Sequence, residues 1–311
     1  MLKAIAAALL LTALPIPVVM AQDAPAAQDA PVTQDAPAPT GKRDCKELMR
    51  LLPQFEGAPD STLETLPDGC AATHLVISGG QYQRWTIDRL SLTGIDMNST
   101  AVGAPQALQL DAKGLAFAPD VGNPVSAYIM KVRQQPLDVH LAYHYDDAQK
   151  QMHLDATVTG EGYGDFGVSA TILGFSPADI NFSEVPDTAK IAIAGLSTTL
   201  ENKEMIESFI VPMVASMTPT DGDPEKFIGD GKAGLIAMIG GLPDATASAT
   251  SKDALSRFVG DFPHPRGKLD LDVEPTPPLK ADDLEKLDNP MSLLTLLGKI
   301  KLTASYEQPA G

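Results

Sequence analysis

The chain has 311 residues, of which 44% are hydrophobic and 20% are charged, and this composition is typical of a folded globular protein. Its formal net charge of −17 excludes the basic face that a nucleic-acid binder needs to neutralise phosphates, so we expect no nucleic-acid partner. Only two cysteines are present, which excludes a disulfide-dense scaffold and a zinc site built from cysteine alone.

Residues 1–21 have the pattern of a secretory signal peptide. Lys3 supplies the N-terminal positive charge, an apolar stretch follows it, and small residues around Ala21 form a cleavage site. The apolar stretch is barely long enough to span a membrane, and Pro15 and Pro17 interrupt it, which favours cleavage over an uncleaved anchor. We therefore expect a periplasmic protein of a Gram-negative cell, without a transmembrane anchor once the signal is removed.

Residues 22–41 repeat the sequence Gln-Asp-Ala-Pro three times, with one proline or more in every repeat. No large apolar side chain occurs in this stretch, so it cannot bury enough surface to offset the entropy of ordering. We predict a disordered tether here, with a proline-rich docking ligand as the alternative. The rest of the chain, residues 42–311, is predicted to form a single α+β domain.

Cys45 and Cys70 are the only thiols, and an even number of cysteines in an exported chain indicates a disulfide. The bridge would close a loop of about 25 residues and stabilise the fold by about 3 kcal/mol in the chain-entropy model. A cysteine nucleophile is the alternative, but the sequence lacks a histidine-bearing signature of that kind nearby. We therefore predict a structural bridge between these two residues.

Residues 73–199 alternate between apolar and polar side chains, which is typical of antiparallel strands with one face buried and the other in solvent. The register that keeps apolar side chains together sets Tyr143 opposite Leu154 in one hairpin and Val158 opposite Val168 in the next. A slip by one residue would set each apolar side chain against a polar one. The pattern therefore predicts a β-rich meander with a continuous apolar face.

Between residues 202 and 262 the apolar period changes to that of an α-helix. Pro212 predicts a kink or an early stop, Asp223 is predicted to cap a second helix, and Ser251 a third. Residues 267–307 are predicted to contain strands and short helices. This order indicates an α+β fold: a curved antiparallel meander, a helical middle segment that covers one face, and C-terminal strands that return to the sheet.

The polar face of the predicted meander holds the best candidate metal ligands. The register places His144 opposite His153, with β-carbons about 5 Å apart. Asp155 lies adjacent on the same face, and His140 is a more distant candidate for the third ligand. Two imidazoles and a carboxylate suit a divalent transition metal. The alternative is a pair of exposed histidines on a hairpin, and we predict no other cofactor.

A cleaved signal, the hairpins within residues 152–175 and a helical middle segment are followed by the closing strand Gly267-Lys268-Leu269-Asp270-Leu271, which leads into Pro277-Pro278-Leu279. In this order the chain resembles exported proteins of unknown function from alphaproteobacteria. The resemblance implies an envelope protein with a curved antiparallel sheet. It implies no catalytic residues.

No motif of a serine hydrolase, a zinc protease or a phosphate-binding loop occurs in the sequence. We therefore expect a non-enzymatic envelope protein that binds a lipid or other apolar ligand, or an envelope protein partner. A helical stripe containing Met205, Met213 and Met217 supports this expectation, because methionine adapts to irregular surfaces. The alternatives are a metal-binding protein or metal-dependent enzyme that uses the histidine pair, and a structural or assembly factor of the envelope.

Overall fold

The structure is a computed structural model that describes residues 44–46, 55–78, 84–97, 105–118, 122–125, 128–129, 135–177, 191–219, 222–280, 283 and 296–308. The signal peptide predicted at 1–21 and the tether predicted at 22–41 lie outside the described residues. Most of the short C-terminal helices predicted within 281–297 also lie outside them.

The described part of the chain forms one antiparallel sheet of twelve strands. Their bounds are Phe55–Gly57 (β1), Leu63–Leu66 (β2), Gly69–Ser78 (β3), Arg84–Thr93 (β4), Ala107–Phe117 (β5), Leu137–Asp146 (β6), Gln151–Gly160 (β7), Gly164–Leu173 (β8), Ala192–Asn202 (β9), Gly267–Pro275 (β10), Leu279–Lys280 (β11) and Ile300–Glu307 (β12). The main path runs β1-β3-β4-β5-β6-β7-β8-β9-β10-β12, while β2 pairs with β3 and β11 with β9. The sheet is therefore a meander, because most neighbours in sequence are also neighbours in space.

The helical segment lies between β9 and β10. It begins with a π-helical turn at Ile206–Ile210 and continues as α1 (Val211–Ser216), α2 (Pro224–Gly240) and α3 (Ala249–Asp261). Pro212 stands in the first turn of α1 and directly follows the π-helical turn, so the helix is irregular where proline supplies no N–H. Asp223 caps α2 as predicted, because its carboxylate accepts hydrogen bonds from the first N–H groups of the helix.

The predicted cap of α3 is wrong. Ser248 caps this helix, and its hydroxyl accepts a hydrogen bond from the N–H of Ser251. Ser251 is buried in the first turn, and its own hydroxyl oxygen accepts a hydrogen bond from the N–H of Ala304 in β12, at 3.1 Å. Both serines satisfy the same local preference for a cap, so only the tertiary contact with β12 distinguishes them.

The predicted α+β class is also wrong, because the sheet dominates the molecule. Only α3 covers part of a face, at one end of the sheet, where it packs against β10 and β12, and α2 packs against α3. The physical reason is that α1 buries none of its residues and α2 buries only Ile239. These two helices therefore offer the sheet little apolar surface. The sheet also begins before residue 73, since β1 and β2 precede it.

Buried side chains form three clusters. The largest lies on β3, β4, β5 and β6 and contains Ala72, Leu75, Ile87, Leu90, Ala112, Leu115 and Val139. A second joins α3 to β10 and β12 and contains Ala254, Leu269, Ala304 and Tyr306. The third surrounds the disulfide. The alternating strands thus supply the cores at the two ends of the sheet, as their apolar period requires.

The predicted disulfide is confirmed. Cys45 and Cys70 are bonded, and their Cα atoms are 5.6 Å apart. Ile95 and Met97 are buried against the bridge. Because Cys70 belongs to β3, the bridge ties the segment that precedes the sheet to its first long strand.

The predicted register of the β6–β7 hairpin is confirmed. Tyr143 lies opposite Leu154, and His144 lies opposite His153. In this register Val139, Leu141, Tyr143 and Tyr145 of β6 each face an apolar partner in β7, as the alternation of the two strands demands.

The predicted register of the β7–β8 hairpin is wrong by two residues. Val158 lies opposite Phe166 rather than Val168. A shift by two keeps each side chain on the same face, so the apolar pattern allows both registers. The turn decides between them: pairing continues up to Gly160 and Gly164, where a positive φ of 95° at Gly164 allows the chain to turn tightly.

The helical segment leaves and re-enters the sheet at one pair of residues, because Asn202 of β9 lies opposite Gly267 of β10. The buried side chain of Asn202 accepts a hydrogen bond from the N–H of Ile206 at 2.8 Å. It donates to the carbonyl oxygen of Pro265 at 2.8 Å and to the carboxylate of Glu207 at 2.9 Å. Asn202 therefore ties the two ends of the segment together.

Glu207 extends this link through its second carboxylate oxygen. That oxygen lies 3.0 Å from the guanidinium of Arg266 and 3.2 Å from Nδ1 of His264. Burial acts to raise the pKa of Glu207, but the hydrogen bond from Asn202 and the neighbouring His264 and Arg266 outweigh it. The pKa therefore lies below its usual range. The carboxylate is thus stabilised in its charged form.

Candidate functional site

The polar face of β6 to β10 forms an open groove of about 360 Å³. His144 and His153 line it on β6 and β7, and Asp272 and Glu274 line it on β10. Gly195 of β9 lies between them, and a side chain added there would meet no other atom. The strands thus place imidazoles and carboxylates along one groove with a glycine between them.

The two predicted histidine ligands contact each other in the structure. The ring centroids of His144 and His153 are 4.7 Å apart, and the planes are stacked at 20°. Nδ1 of His153 lies 3.3 Å from the hydroxyl of Thr171. An imidazole nitrogen directs its lone pair in the plane of its ring, so two nearly parallel stacked rings cannot both bind one ion until a ring rotates.

Asp155, the third predicted ligand, lines the same groove but is engaged with another residue. Its carboxylate accepts a hydrogen bond from the hydroxyl of Ser169 at 2.6 Å. Across the described ranges, no three His, Cys, Asp or Glu side chains group closely enough to hold a metal ion. The structure therefore brings His144 and His153 together, and the metal site stays a prediction.

His140, the more distant candidate, is held by a residue of the neighbouring strand. Its Nδ1 lies 2.7 Å from Oδ1 of Asp111 on β5. Burial acts to raise the pKa of Asp111, but hydrogen bonds from His140 and Gln109 outweigh it, so the pKa lies below its usual value. The sequence does not predict this pair, because no turn signal in it gives the register between β5 and β6.

A second candidate surface lies on the helical segment. Five of its large apolar side chains have exposed fractions between 38% and 43%, and we call them the helical apolar surface: Phe209, Met213, Met217, Leu235 and Met238. The first three follow one another at four-residue spacing, and the last two at three-residue spacing, so each group shares one face of its helix.

The helical apolar surface belongs to two charge-free stretches of an acidic chain. Residues 208–220 and 233–243 contain no Asp, Glu, Lys or Arg, although 20% of the whole chain is charged. The helical stripe predicted from the sequence contains Met213 and Met217 but neither Leu235 nor Met238. The charge-free stretch around these two residues is the signal that could have identified them.

Two contacts position this surface on the molecule. The ring of Phe209 lies 5.2 Å from the ring of Tyr163, in the turn between β7 and β8. The ammonium group of Lys232 on α2 donates to the carbonyl oxygens of Gly260 and Phe262, at 2.6 Å each. These carbonyls lie at the C-terminal end of α3, where a cation also interacts favourably with the helix dipole. The surface is therefore presented on anchored elements.

The apolar face of the sheet is less covered in its middle than at its ends. Tyr143, Met152 and Leu154 on β6 and β7 are half-buried. The buried apolar side chains of β7 and β8 are the small ones, Ala156 and Ala170. The middle of this face is therefore a partly solvated apolar surface.

Comparison with known proteins adds no assignment, since no family model and no curated protein matches the chain. The described residues include no helix with the length and apolar character needed to cross a membrane. The disulfide fits a chain that is exported to an oxidising compartment.

Proposed function

We propose that this is an exported, periplasmic envelope protein that binds an apolar ligand or a protein partner through the helical apolar surface. The observation that carries the proposal is that five exposed, large apolar side chains form two groups, each within a charge-free stretch. Single exposed apolar residues are ordinary on protein surfaces, but grouped ones mark interaction sites. Exposed methionines also adapt to partners of different shape.

Export is supported by the signal-like N-terminus and by the disulfide. The acidic charge of −17 keeps the rest of the surface well solvated. The contrast with a charge-free helical apolar surface supports binding at this surface.

Native mass spectrometry of protein purified from its own compartment tests the proposal. We expect a bound lipid or a stoichiometric protein partner on the wild-type chain, and we expect its loss in the double variant Met213→Glu, Leu235→Glu. The matched control is Leu63→Glu on β2, because Leu63 is equally exposed, at 43%, but lies outside the surface. Protein that carries nothing, or a double variant that retains the wild-type complement, would contradict the proposal.

A second candidate function is metal binding, and the contact between His144 and His153 is the observation that favours it. Titration with Zn²⁺ in a calorimeter should show one ion per chain, with loss of binding in either His144→Ala or His153→Ala. His74→Ala is the control, since this exposed imidazole is paired with Asp60 at 3.0 Å instead. Unchanged binding in the two pair variants would exclude the groove as the metal site.

A further inference from the structure

We propose that Met213, Met217 and Met238 form an oxidation site, and that their conversion to sulfoxides lowers the affinity of the helical apolar surface for its apolar partner. The loss of affinity rests on the proposed function, whereas the selectivity of the oxidation does not. The oxidant is a peroxide, for which hydrogen peroxide serves as the probe.

Accessibility separates these three side chains from a buried one. Each is 41% exposed, whereas Met97, which packs against the disulfide, is 6% exposed. Methionine makes up 11 of the 311 residues of the chain, yet it supplies three of the five side chains of the surface. Oxidation by peroxide should therefore be faster at these three residues than at Met97, because thioether oxidation follows solvent access.

The chemical step is a two-electron oxygen transfer. A lone pair of the thioether sulfur attacks one oxygen of hydrogen peroxide, a sulfur–oxygen bond forms and the oxygen–oxygen bond breaks. The departing hydroxide takes up the proton that the transferred oxygen releases, and it leaves as water. The sulfur is oxidised and the peroxide is reduced, and methionine sulfoxide reductases reverse the change.

The sulfoxide changes the surface and not the core. None of the three residues belongs to a buried cluster of the described chain. A sulfoxide is polar, and burying it against an apolar partner without a hydrogen bond is unfavourable. With Met213, Met217 and Met238 oxidised, three of the five side chains of the helical apolar surface become polar. Binding should therefore weaken while the fold persists.

The first measurement is peptide mapping by mass spectrometry after timed exposure of the native chain to hydrogen peroxide. We expect Met213, Met217 and Met238 to oxidise about tenfold faster than Met97, or more. Circular dichroism recorded in parallel should show an unchanged sheet signal. Equal rates at Met97 and the three exposed sites in a folded protein would overturn the selectivity.

The second measurement is the binding of Nile red, an uncharged apolar dye that the acidic chain does not repel. Oxidised wild-type protein should bind it about tenfold more weakly than untreated protein does, because each buried sulfoxide is penalised. The variant Met213→Leu, Met217→Leu, Met238→Leu has no thioether at these sites. Whatever its starting affinity, the ratio of its affinities before and after peroxide should stay near one.

The outcomes separate this inference from the proposed function. If untreated protein binds the dye, Leu235→Glu weakens that binding, and oxidation at the three sites leaves it unchanged, the oxidation proposal is wrong and the proposed function stands. If Leu235→Glu has no effect on dye binding, the helical apolar surface is not the binding site and the proposed function is wrong. The proposed loss of affinity on oxidation is then wrong as well. The peptide rates then still decide whether the three methionines are the oxidation site.

Discussion

Two links attach segments outside the sheet to its strands, and they differ in kind. The Cys45–Cys70 bridge is covalent and holds the segment before the sheet to β3. Asn202 holds both ends of the helical segment beside β9 and β10 with three hydrogen bonds. The first link restricts the unfolded chain as well as the folded one, whereas the second exists only in the folded protein.

The difference shows that two links with the same structural role are not equally easy to predict from a sequence. In an exported chain with only two cysteines, the composition alone predicts the disulfide. Asn202 has no such signature, because asparagine is a common residue. Its partner Pro265 lies far away in the sequence, and nothing in the sequence marks its partner Glu207. The links can be compared quantitatively by removing each in turn.

The largest effect is expected at the covalent link. The double variant Cys45→Ser, Cys70→Ser should lose about 3 kcal/mol of unfolding free energy, because the loop between the residues is released in the unfolded chain. Urea denaturation under non-reducing conditions measures it. Hydrogen exchange in β10 and α3 should stay as slow as in the wild type. A general loss of protection there would show that the two ends of the sheet are not independent.

The hydrogen-bonded link should be slightly weaker. Asn202→Asp keeps an acceptor for the N–H of Ile206 but cannot donate to Pro265, and it places a second negative charge beside Glu207. We expect a loss of about 2 kcal/mol at neutral pH. The deficit should shrink in acid, where the protonated carboxyl donates again. A loss of unfolding free energy that is independent of pH would mean that packing, and not hydrogen bonding, holds the two ends of the helical segment together.

The middle of the sheet offers a comparison with both links. Leu154→Ala should cost about 1.5 kcal/mol, because its side chain is only half-buried. This is less than the 2 kcal/mol or more that full burial predicts. His144→Ala and His153→Ala should each change stability by no more than about 0.5 kcal/mol, since the pair faces the open groove. Denaturant unfolding of the three variants tests this order. A larger loss of stability in either histidine variant than in Leu154→Ala would show that the histidines, and not Leu154, lie on the buried face of the sheet.

A smaller effect than that of Leu154→Ala is expected at Tyr306, at the helix end of the sheet. Burial, followed by the hydrogen bond to Asp261, raises its pKa from 10.0 to about 12. The folded state therefore retains the phenolic proton, and this stabilisation is present below pH 10 and is lost between pH 10 and 12. Tyr306→Phe should cost about 1 kcal/mol at neutral pH and should flatten the alkaline decline in thermal stability.

Tyr143→Phe is the matched control for that measurement. Burial raises the pKa of Tyr143 as well, but its hydroxyl donates to the carbonyl oxygen of Pro105, and no carboxylate of the described residues contacts it. The slope of stability against alkaline pH should therefore change less than in Tyr306→Phe. Equal slopes would show that burial alone, without Asp261, sets the alkaline behaviour.

Features of the fold were predictable where a local pattern has one solution. The alternation fixes which side chains of β6 and β7 share a face, and the short turn between the strands then sets Tyr143 opposite Leu154, as the structure has it. For Val158 the pattern admits registers two residues apart, and the conformation of Gly164 selects one that the pattern does not encode. Ser251 satisfies a cap preference locally, but its contact with Ala304 depends on where α3 docks.

The fold class was wrong for a related reason. Helical periodicity predicts that a helix exists, but it does not predict what the helix covers. The stripe on α1 points Met213 and Met217 outward, so a pattern typical of core packing forms a surface instead. At the candidate metal site, strand pairing predicts that His144 and His153 meet, but ring orientation and the bond between Asp155 and Ser169 follow from rotamers.

The pairing of Asn202 with Gly267 also bears on how this architecture can diversify. Because residues 203–266 begin and end at one strand pair, they form an excursion from what would otherwise be a β-hairpin. Such an excursion can be lengthened, exchanged or grafted without altering the register of any other strand. What limits replacement is the contact with β12, where the hydroxyl oxygen of Ser251 accepts a hydrogen bond from the N–H of Ala304. Any substitute segment must shield that strand from edge-to-edge aggregation.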